Sequence, residues 1–443
     1  STTINVSDVA CVAKVCNETQ MIGALRKADV KFPPYPVPRD GVETMNTETT
    51  RVKLDSTMCI GCGQCTHACV FGAMVPNSRV SEIFEAKKAG KKLIAVLAPA
   101  TRVGISEAMG QQPGTTGEAQ LIAGLRQMGF DYVFDNQWAA DACTIEDTKE
   151  VLHMREHKSG PCYTSCCPAW INLVETRYPE LIPKVSTARS PHGMICSLIK
   201  KKWVHEQNLK IEDIFIVGFM PCTAKKMEAA RPQLATEGHQ DCDISVTTKE
   251  VAQMLKKTRS FSALRRRKSS NRLNRANSTP HSANSQVQPT FSARQQVLPS
   301  PSRYVYAIHG VKYDPSELKL SQVWEHTDKI QNIKIIEFTV KGNLFRAAVA
   351  HGGAAVAKCI EMEKELNVDV VEIMMGPRGC QNGGGQPRQA KKDLIPKRAE
   401  ALDKHDKESK YGDCEHNAQM HEYIKKHLPT EHDVHEAQTQ AIE

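Results

Sequence analysis

Lys92-Leu-Ile-Ala-Val-Leu-Ala98 is an unbroken apolar run that stops at Pro99, the length of a strand buried on both faces. Apolar positions then recur at helical spacing through Ala119, Ile122, Leu125 and Met128, and Gly129 marks the stop. Further strands are predicted at Tyr132–Phe134, at Ile214–Phe219 running straight into Met220-Pro-Cys, and at Val368–Met374 running into a glycine-rich segment. Strands alternating with helices predict an α/β core of mostly parallel sheets flanked by helices. In such sheets binding residues collect on loops at strand ends.

The pattern breaks over residues 258–303, which are rich in Ser, Asn, Gln, Arg and Pro and show no apolar period. This composition reads as a disordered, solvated insertion. Its charge also changes how the formal +8 should be read. No Asp or Glu lies between Val251 and Tyr313, where twelve basic residues sit; removing those twelve from +8 leaves −4 for the rest. The folded part is therefore mildly acidic, and net charge gives no reason to expect nucleic acid. No apolar run approaches the roughly 20 residues of a membrane helix, so a soluble intracellular protein without a membrane partner is expected. The chain begins at Ser1, which leaves open an organelle-targeting peptide ahead of it.

Sixteen cysteines in a long chain without a secretory signal point to metal binding in a reducing compartment rather than to a disulfide framework. Four of them form the run Cys59-Ile-Gly-Cys62-Gly-Gln-Cys65-Thr-His-Ala-Cys69. This is the ferredoxin-type spacing for a 4Fe-4S cluster, with Val70 where proline usually stands. Zinc is the alternative, though its sites generally draw on two separated pairs. Cys11 and Cys16 are too few for a regular second cluster. One accessory cluster on Cys59, Cys62, Cys65 and Cys69 is expected, in a small α+β ferredoxin-like domain over residues 51–80.

Three more cysteine segments stand far apart: Thr164-Ser-Cys-Cys-Pro-Ala-Trp170, Met220-Pro-Cys-Thr-Ala-Lys-Lys-Met-Glu228, and Glu372-Ile-Met-Met-Gly-Pro-Arg-Gly-Cys-Gln-Asn-Gly-Gly-Gly-Gln-Pro387. Together and in this order they resemble the three active-site signatures of the iron-only (diiron, FeFe) hydrogenases. The resemblance implies a two-lobed catalytic core, in two parts over residues 90–257 and 304–390. Residues 258–303 replace a wall segment of relatives, either as a genuine substitution or as out-of-frame or unspliced coding sequence. Residues 1–50 are undefined and 391–443 form a charged tail whose histidines read as solvated.

The resemblance also implies an H-cluster, a 4Fe-4S cubane linked to a diiron subsite. Cys167 and Cys222 match cubane ligands and Cys380 matches the bridging cysteine, whereas Gly376 occupies the position of the remaining ligand. Cys166 matches the thiol that hands on protons, and Asp147, Glu150 and Ser190 match the relay beyond it. Lys225 matches a donor to cyanide. Met220, Met374, Ala98 and Pro99 match residues packed on the diiron unit, and Gly383–Gly385 reads as glycines tolerating positive φ beside a bulky cluster. The implied activity is reversible proton reduction to hydrogen with electrons from ferredoxin. Diiron maturation proteins are implied as partners, as are a monomer and an anaerobic setting, cytoplasm or hydrogenosome. A non-catalytic iron-sulfur assembly factor of the same superfamily is the alternative, and Gly376 bears on the choice.

Overall fold

The computed structural model describes residues 3–5, 51–53, 59–68, 74–257, 318–326, 331–388, 394–407 and 418–428. The predicted insertion, Cys11, Cys16 and Cys69 lie outside these residues. Strands β1 (Thr3–Asn5), β2 (Arg51–Lys53) and β3 (Met74–Val75) form an antiparallel sheet in the order β2-β1-β3. Helix α1 (Gln64–Ala68) carries the middle of the cysteine run, and α2 (Val80–Lys88) leads into the core.

The first large sheet contains β4 (Lys92–Leu97), β5 (Tyr132–Asp135), β7 (Ile214–Met220) and β10 (Ile244–Thr247). Their order is β10-β7-β4-β5 and every pairing is parallel. Because strand side chains alternate between faces, Ile94 and Val96 enter one core while Leu93, Ala95 and Leu97 enter the other. β7 does the same, with Ile214 and Ile216 on the first face and Val217 and Phe219 on the second. Two buried faces explain why β4 has no polar alternation: each of these Val, Leu, Ile and Phe side chains contributes about 1.5–3 kcal/mol on leaving water.

Helices α3 (Pro99–Ala108), α4 (Glu118–Met128) and α5 (Gln137–Glu156) connect and cover this sheet. Gly129 closes α4 in the left-handed region at φ +92°. Gly129→Ala should therefore cost about 1 kcal/mol, visible as a lower urea midpoint at unchanged slope.

The second sheet runs β11-β12-β13-β14-β6 and combines β6 (Cys162–Tyr163), β11 (Lys319–Glu325), β12 (Asn332–Val340), β13 (Asn343–His351) and β14 (Val370–Met374). β6, β14 and β13 are parallel, but β11, β12 and β13 are antiparallel neighbours. The mostly parallel expectation thus describes the first sheet fully and the second only at its inner end. Lys341 and Gly342, both at positive φ, make the two-residue turn of the β12–β13 hairpin. A small ladder of β8 (Ala235–Thr236) and β9 (His239–Gln240) stands apart.

The longer helices that follow, with one short one, are α6 (Pro168–Arg177), α7 (Pro191–Leu198), α8 (Ala224–Glu228), α9 (Thr248–Lys257), α10 (Gly353–Glu361), α11 (Leu394–Lys407) and α12 (Ala418–His427). The last two pack onto the core. Met420 of α12 is fully buried and Tyr423 meets Trp138 edge-on at 5.5 Å. Two histidines expected to be solvated are paired instead: His405 with Glu118 at 2.7 Å and His427 with Glu206 at 2.9 Å. No helix among the described residues is long and apolar enough to cross a membrane.

Candidate active site between the two sheets

The carboxyl ends of both sheets point at one cavity. β4 delivers Ala98, β7 delivers Met220 and Cys222, β14 delivers Met374 and Gly376, and the loop after β6 delivers Cys166 and Cys167. Cys380 and Lys225 complete the wall. Of the residues expected at the site, Pro99 alone among the diiron-packing set does not line the cavity; it is buried in the first turn of α3. Cys62 from the upstream cysteine run also reaches the wall. Asn136 lines it with a buried side-chain oxygen that has no hydrogen-bond partner.

Cys167 immediately precedes α6, where backbone N–H groups converge. Burial pushes its thiol up, and the N–H groups of Met375, Trp170 and Ala169 oppose that shift. Burial likewise pushes Cys222 up to about 11, helped by the Cys167 charge and opposed by Lys225. Cys380 is also raised, by burial first and by Cys222 and Cys167 next. Thiols held this way bind iron only on losing their protons.

Lys225 is tightly held. Its Nζ lies 2.6 Å from Glu228 Oε2 and donates to Ser190 Oγ at 2.6 Å. Ser190 also donates to Glu228 and caps α7 by accepting from Gly193 N at 3.1 Å. Burial works against the Glu228 carboxylate, yet Lys225 and His192 bring its pKa down to about 2.

Ser190 is therefore tied to the lysine rather than to the two acids with which it was grouped. Ser186, four residues earlier, donates to Asp147 Oδ1 at 2.6 Å. Next to it Thr187 N reaches Glu150 Oε2 at 3.0 Å, and Thr187 Oγ1 reaches Glu150 Oε1 at 2.5 Å. Asp147 is buried, and burial pushes its carboxyl up to about 7; the Ser186 hydrogen bond opposes this and the Glu150 charge adds to it. Cys143 Sγ lies 3.6 Å from Asp147 Oδ2, on the face of α5 one turn earlier. Cys166 is raised well above a normal thiol, by burial first and then by Glu372 and Asp147.

The glycine-rich stretch has a different reason for its composition from the one expected. None of Gly383, Gly384 and Gly385 is at positive φ. A Cβ on Gly383 would lie 2.5 Å from Pro221 O, one on Gly384 would lie 2.4 Å from Gly63 O, and one on Gly385 would lie 2.8 Å from Thr247 Cβ. The stretch is a packing seam on which the upstream cysteine segment rests. Thr66 Oγ1 donates to Gly384 O at 2.7 Å, Gln64 Nε2 to Asn382 O at 3.0 Å, and His67 Nε2 pairs with Gln386 O at 2.9 Å. Cys62 and Cys65 are buried at this seam, and Cys59 accepts from Gly61 N at 3.4 Å.

The profile of the iron only hydrogenase large subunit, C-terminal domain, matches residues 91–384. The chain belongs to the iron-only hydrogenase family. It is 32% identical over 393 residues to the periplasmic Fe hydrogenase large subunit of Nitratidesulfovibrio vulgaris, covering 80% of this chain and 89% of that one. Against the NADP-reducing hydrogenase subunit of Solidesulfovibrio fructosivorans it is 30% identical over 402 residues, 88% of this chain but 64% of that one. A variant of the FeFe-hydrogenase of Chlamydomonas reinhardtii superposes with a TM-score of 0.69 at 27% identity, covering 83% of this chain and 99% of that one. The chain is also 26% identical over 374 residues to mouse cytosolic iron-sulfur assembly component 3, covering 80% of this chain and 75% of that one.

Hydrogenases of this family carry the H-cluster and accessory 4Fe-4S clusters, and the donor set here fits such a group in chemistry. Five soft thiols, those of Cys62, Cys166, Cys167, Cys222 and Cys380, line one space with a lysine beside them. Gly376 also lines this space, and a Cβ there would lie 2.8 Å from Gly379 O, so the turn has closed around a bare backbone.

Proposed function

We propose that the chain interconverts protons and hydrogen at a cluster held by Cys167, Cys222 and Cys380. Electrons would come from a ferredoxin-like carrier through an accessory cluster on Cys59, Cys62, Cys65 and Cys69. The observation that carries this reading is the convergence of Cys166, Cys167, Cys222, Cys380 and Lys225 on one cavity where two sheets end. When bound, the cluster supplies the electrons and the place where hydrogen forms. The protein's own residues manage charge and protons. Cys166 keeps its proton on Sγ near neutral pH because burial and nearby acids disfavour the thiolate. Lys225, braced by Ser190 and Glu228, presents a fixed ammonium to an anionic ligand. Apolar Met220, Met374 and Ala98 keep water out.

Behind Cys166, Asp147 exchanges its proton near neutral pH and accepts a hydrogen bond from Ser186. Half-buried Glu150, anchored by Thr187, forms the outlet. Ser186→Ala should slow hydrogen evolution by about tenfold. Ser190→Ala should lower stability by about 1 kcal/mol through the lost helix cap and leave the pH profile of turnover unchanged.

A second reading, a non-catalytic iron-sulfur assembly role, is favoured by one observation: the turn at Gly376 is closed without a fourth thiol. Anaerobic expression with the diiron maturation proteins, followed by infrared spectroscopy of the carbonyl and cyanide region, separates the two. Bands accompanied by hydrogen evolution support the first. Bound iron and sulfide without bands or hydrogen evolution would overturn it in favour of the second.

A further inference from the structure

Behind the Lys225–Glu228 pair lies a cluster unconnected with the cavity thiols. His192 and Cys196 stand one turn apart on α7, and Cys242 approaches from the loop before β10. One donor atom from each lies within 4.8 Å of the other two, and among the described residues no other set of His, Cys, Asp or Glu meets so closely. All three are buried, at 1%, 0% and 5% exposure.

The His192 ring is oriented as a ligand would be. Nδ1 lies 3.5 Å from Glu228 Oε2, while Nε2 is buried without a hydrogen-bond partner. A metal-bound histidine typically gives its other N–H to a carboxylate, which fixes the tautomer and strengthens the donor. Space for the ring comes from Gly218, where a Cβ would stand 2.3 Å from Nε2.

We propose that His192, Cys196 and Cys242 form a second metal centre in this chain, taking a zinc-class divalent cation. A thiolate pair with one imidazole is a soft to borderline donor set that suits a closed-shell d¹⁰ ion. Two thiolates also neutralise a divalent charge, so the loaded site is neutral and can stay buried. The acids alongside are already committed. Asp241 pairs with Arg189 at 2.6 Å, and Asp243 pairs with Lys200 at 3.2 Å and accepts from Ile216 N at 2.7 Å. The protein therefore supplies three donors and leaves the fourth position to solvent or none.

Ligation would give up two contacts, from Cys242 Sγ to Ile244 O at 3.0 Å and to Ile216 O at 3.8 Å. Metal at Nε2 would also lock Nδ1–H onto Glu228. This makes the centre a positioning device for Lys225, one step removed from the cavity.

The test is zinc and iron content of the anaerobically purified full chain, beside His192→Gln and Cys242→Val, with X-ray absorption at the zinc edge on the unmodified chain. Zinc near one per chain is expected, falling by about tenfold in each variant while iron is retained. The expected shell is one nitrogen at about 2.0–2.1 Å with two sulfurs at about 2.3 Å. Equal zinc in the unmodified chain and Cys242→Val would overturn the proposal. So would an all-sulfur shell, which places zinc on the cluster cysteines. A Cys196–Cys242 disulfide in the unreduced chain, found by peptide mass, would overturn it in favour of a redox pair. The absorption measurement needs no variant, so a misfolded substitution leaves the test intact.

Discussion

Gly376→Cys is expected to raise the fraction of chains carrying a complete cavity cluster by about tenfold or more. Two opposing effects decide the sign. The new Cβ falls 2.8 Å from Gly379 O, so the turn closed by Gly379 N donating to Gly376 O at 2.8 Å must open slightly. Overpacking of this kind costs about 1–3 kcal/mol. Against it stands a thiolate–metal bond: four-donor structural zinc sites bind with about 10–16 kcal/mol, or a few kcal/mol per donor. The donor outweighs the strain. Iron and sulfide per chain after anaerobic reconstitution, read beside the infrared bands, measure the change. Equal loading of Gly376→Cys and the unmodified chain would sink the expectation and point to another group completing the set, with Cys62 on the same wall the first to substitute.

Asp147→Asn is expected to slow hydrogen evolution by about 10²–10³-fold and, at pH 8, to stabilise the fold by on the order of 2 kcal/mol. Both effects have one cause. The carboxyl is raised from 3.8 to about 7, so folding favours its protonated form. That contribution is complete below about pH 4 and is lost as pH rises through 7. At pH 8 the unmodified protein therefore buries an ionised carboxylate, whereas Asn is neutral and its amide oxygen still accepts from Ser186. The stability gain should fade towards pH 5, and the activity loss should persist at both pH values. Urea midpoints at pH 5 and pH 8 alongside hydrogen evolution test this. Equal destabilisation at both pH values would show that Asp147 is held as a structural acceptor only.

Much of this architecture was legible because it is written in short stretches. β4 and β7 are apolar runs with two faces to bury and β14 is apolar apart from Glu372; Cys222 follows β7, Cys380 lies in the turn beyond β14, and Cys167 stands at the start of α6. What sequence alone did not order correctly depends on contacts between distant segments. Ser186 and Ser190 lie on one loop; which of them meets Asp147 is fixed by Thr187 on Glu150 and by Ser165 on Ala188 O. The glycines at 383–385 read as positions of positive φ beside a bulky cluster and are instead steric clearances against Pro221, Gly63 and Thr247. His192 and Cys196 do carry a readable signal, their one-turn spacing, but Cys242 joins them only through the fold. The edge strand β11 carries no long apolar run that would mark it, because its side chains are largely exposed.

Arg398 of α11 is fully buried and grips both Glu107 and the cavity loop, donating to Gln381 O at 2.6 Å and to Pro387 O at 3.0 Å. This clamp belongs to a later part of the chain than any cavity thiol. A chain that ends before α11 would therefore carry every cavity thiol yet leave the stretch from Gln381 to Pro387 without its clamp.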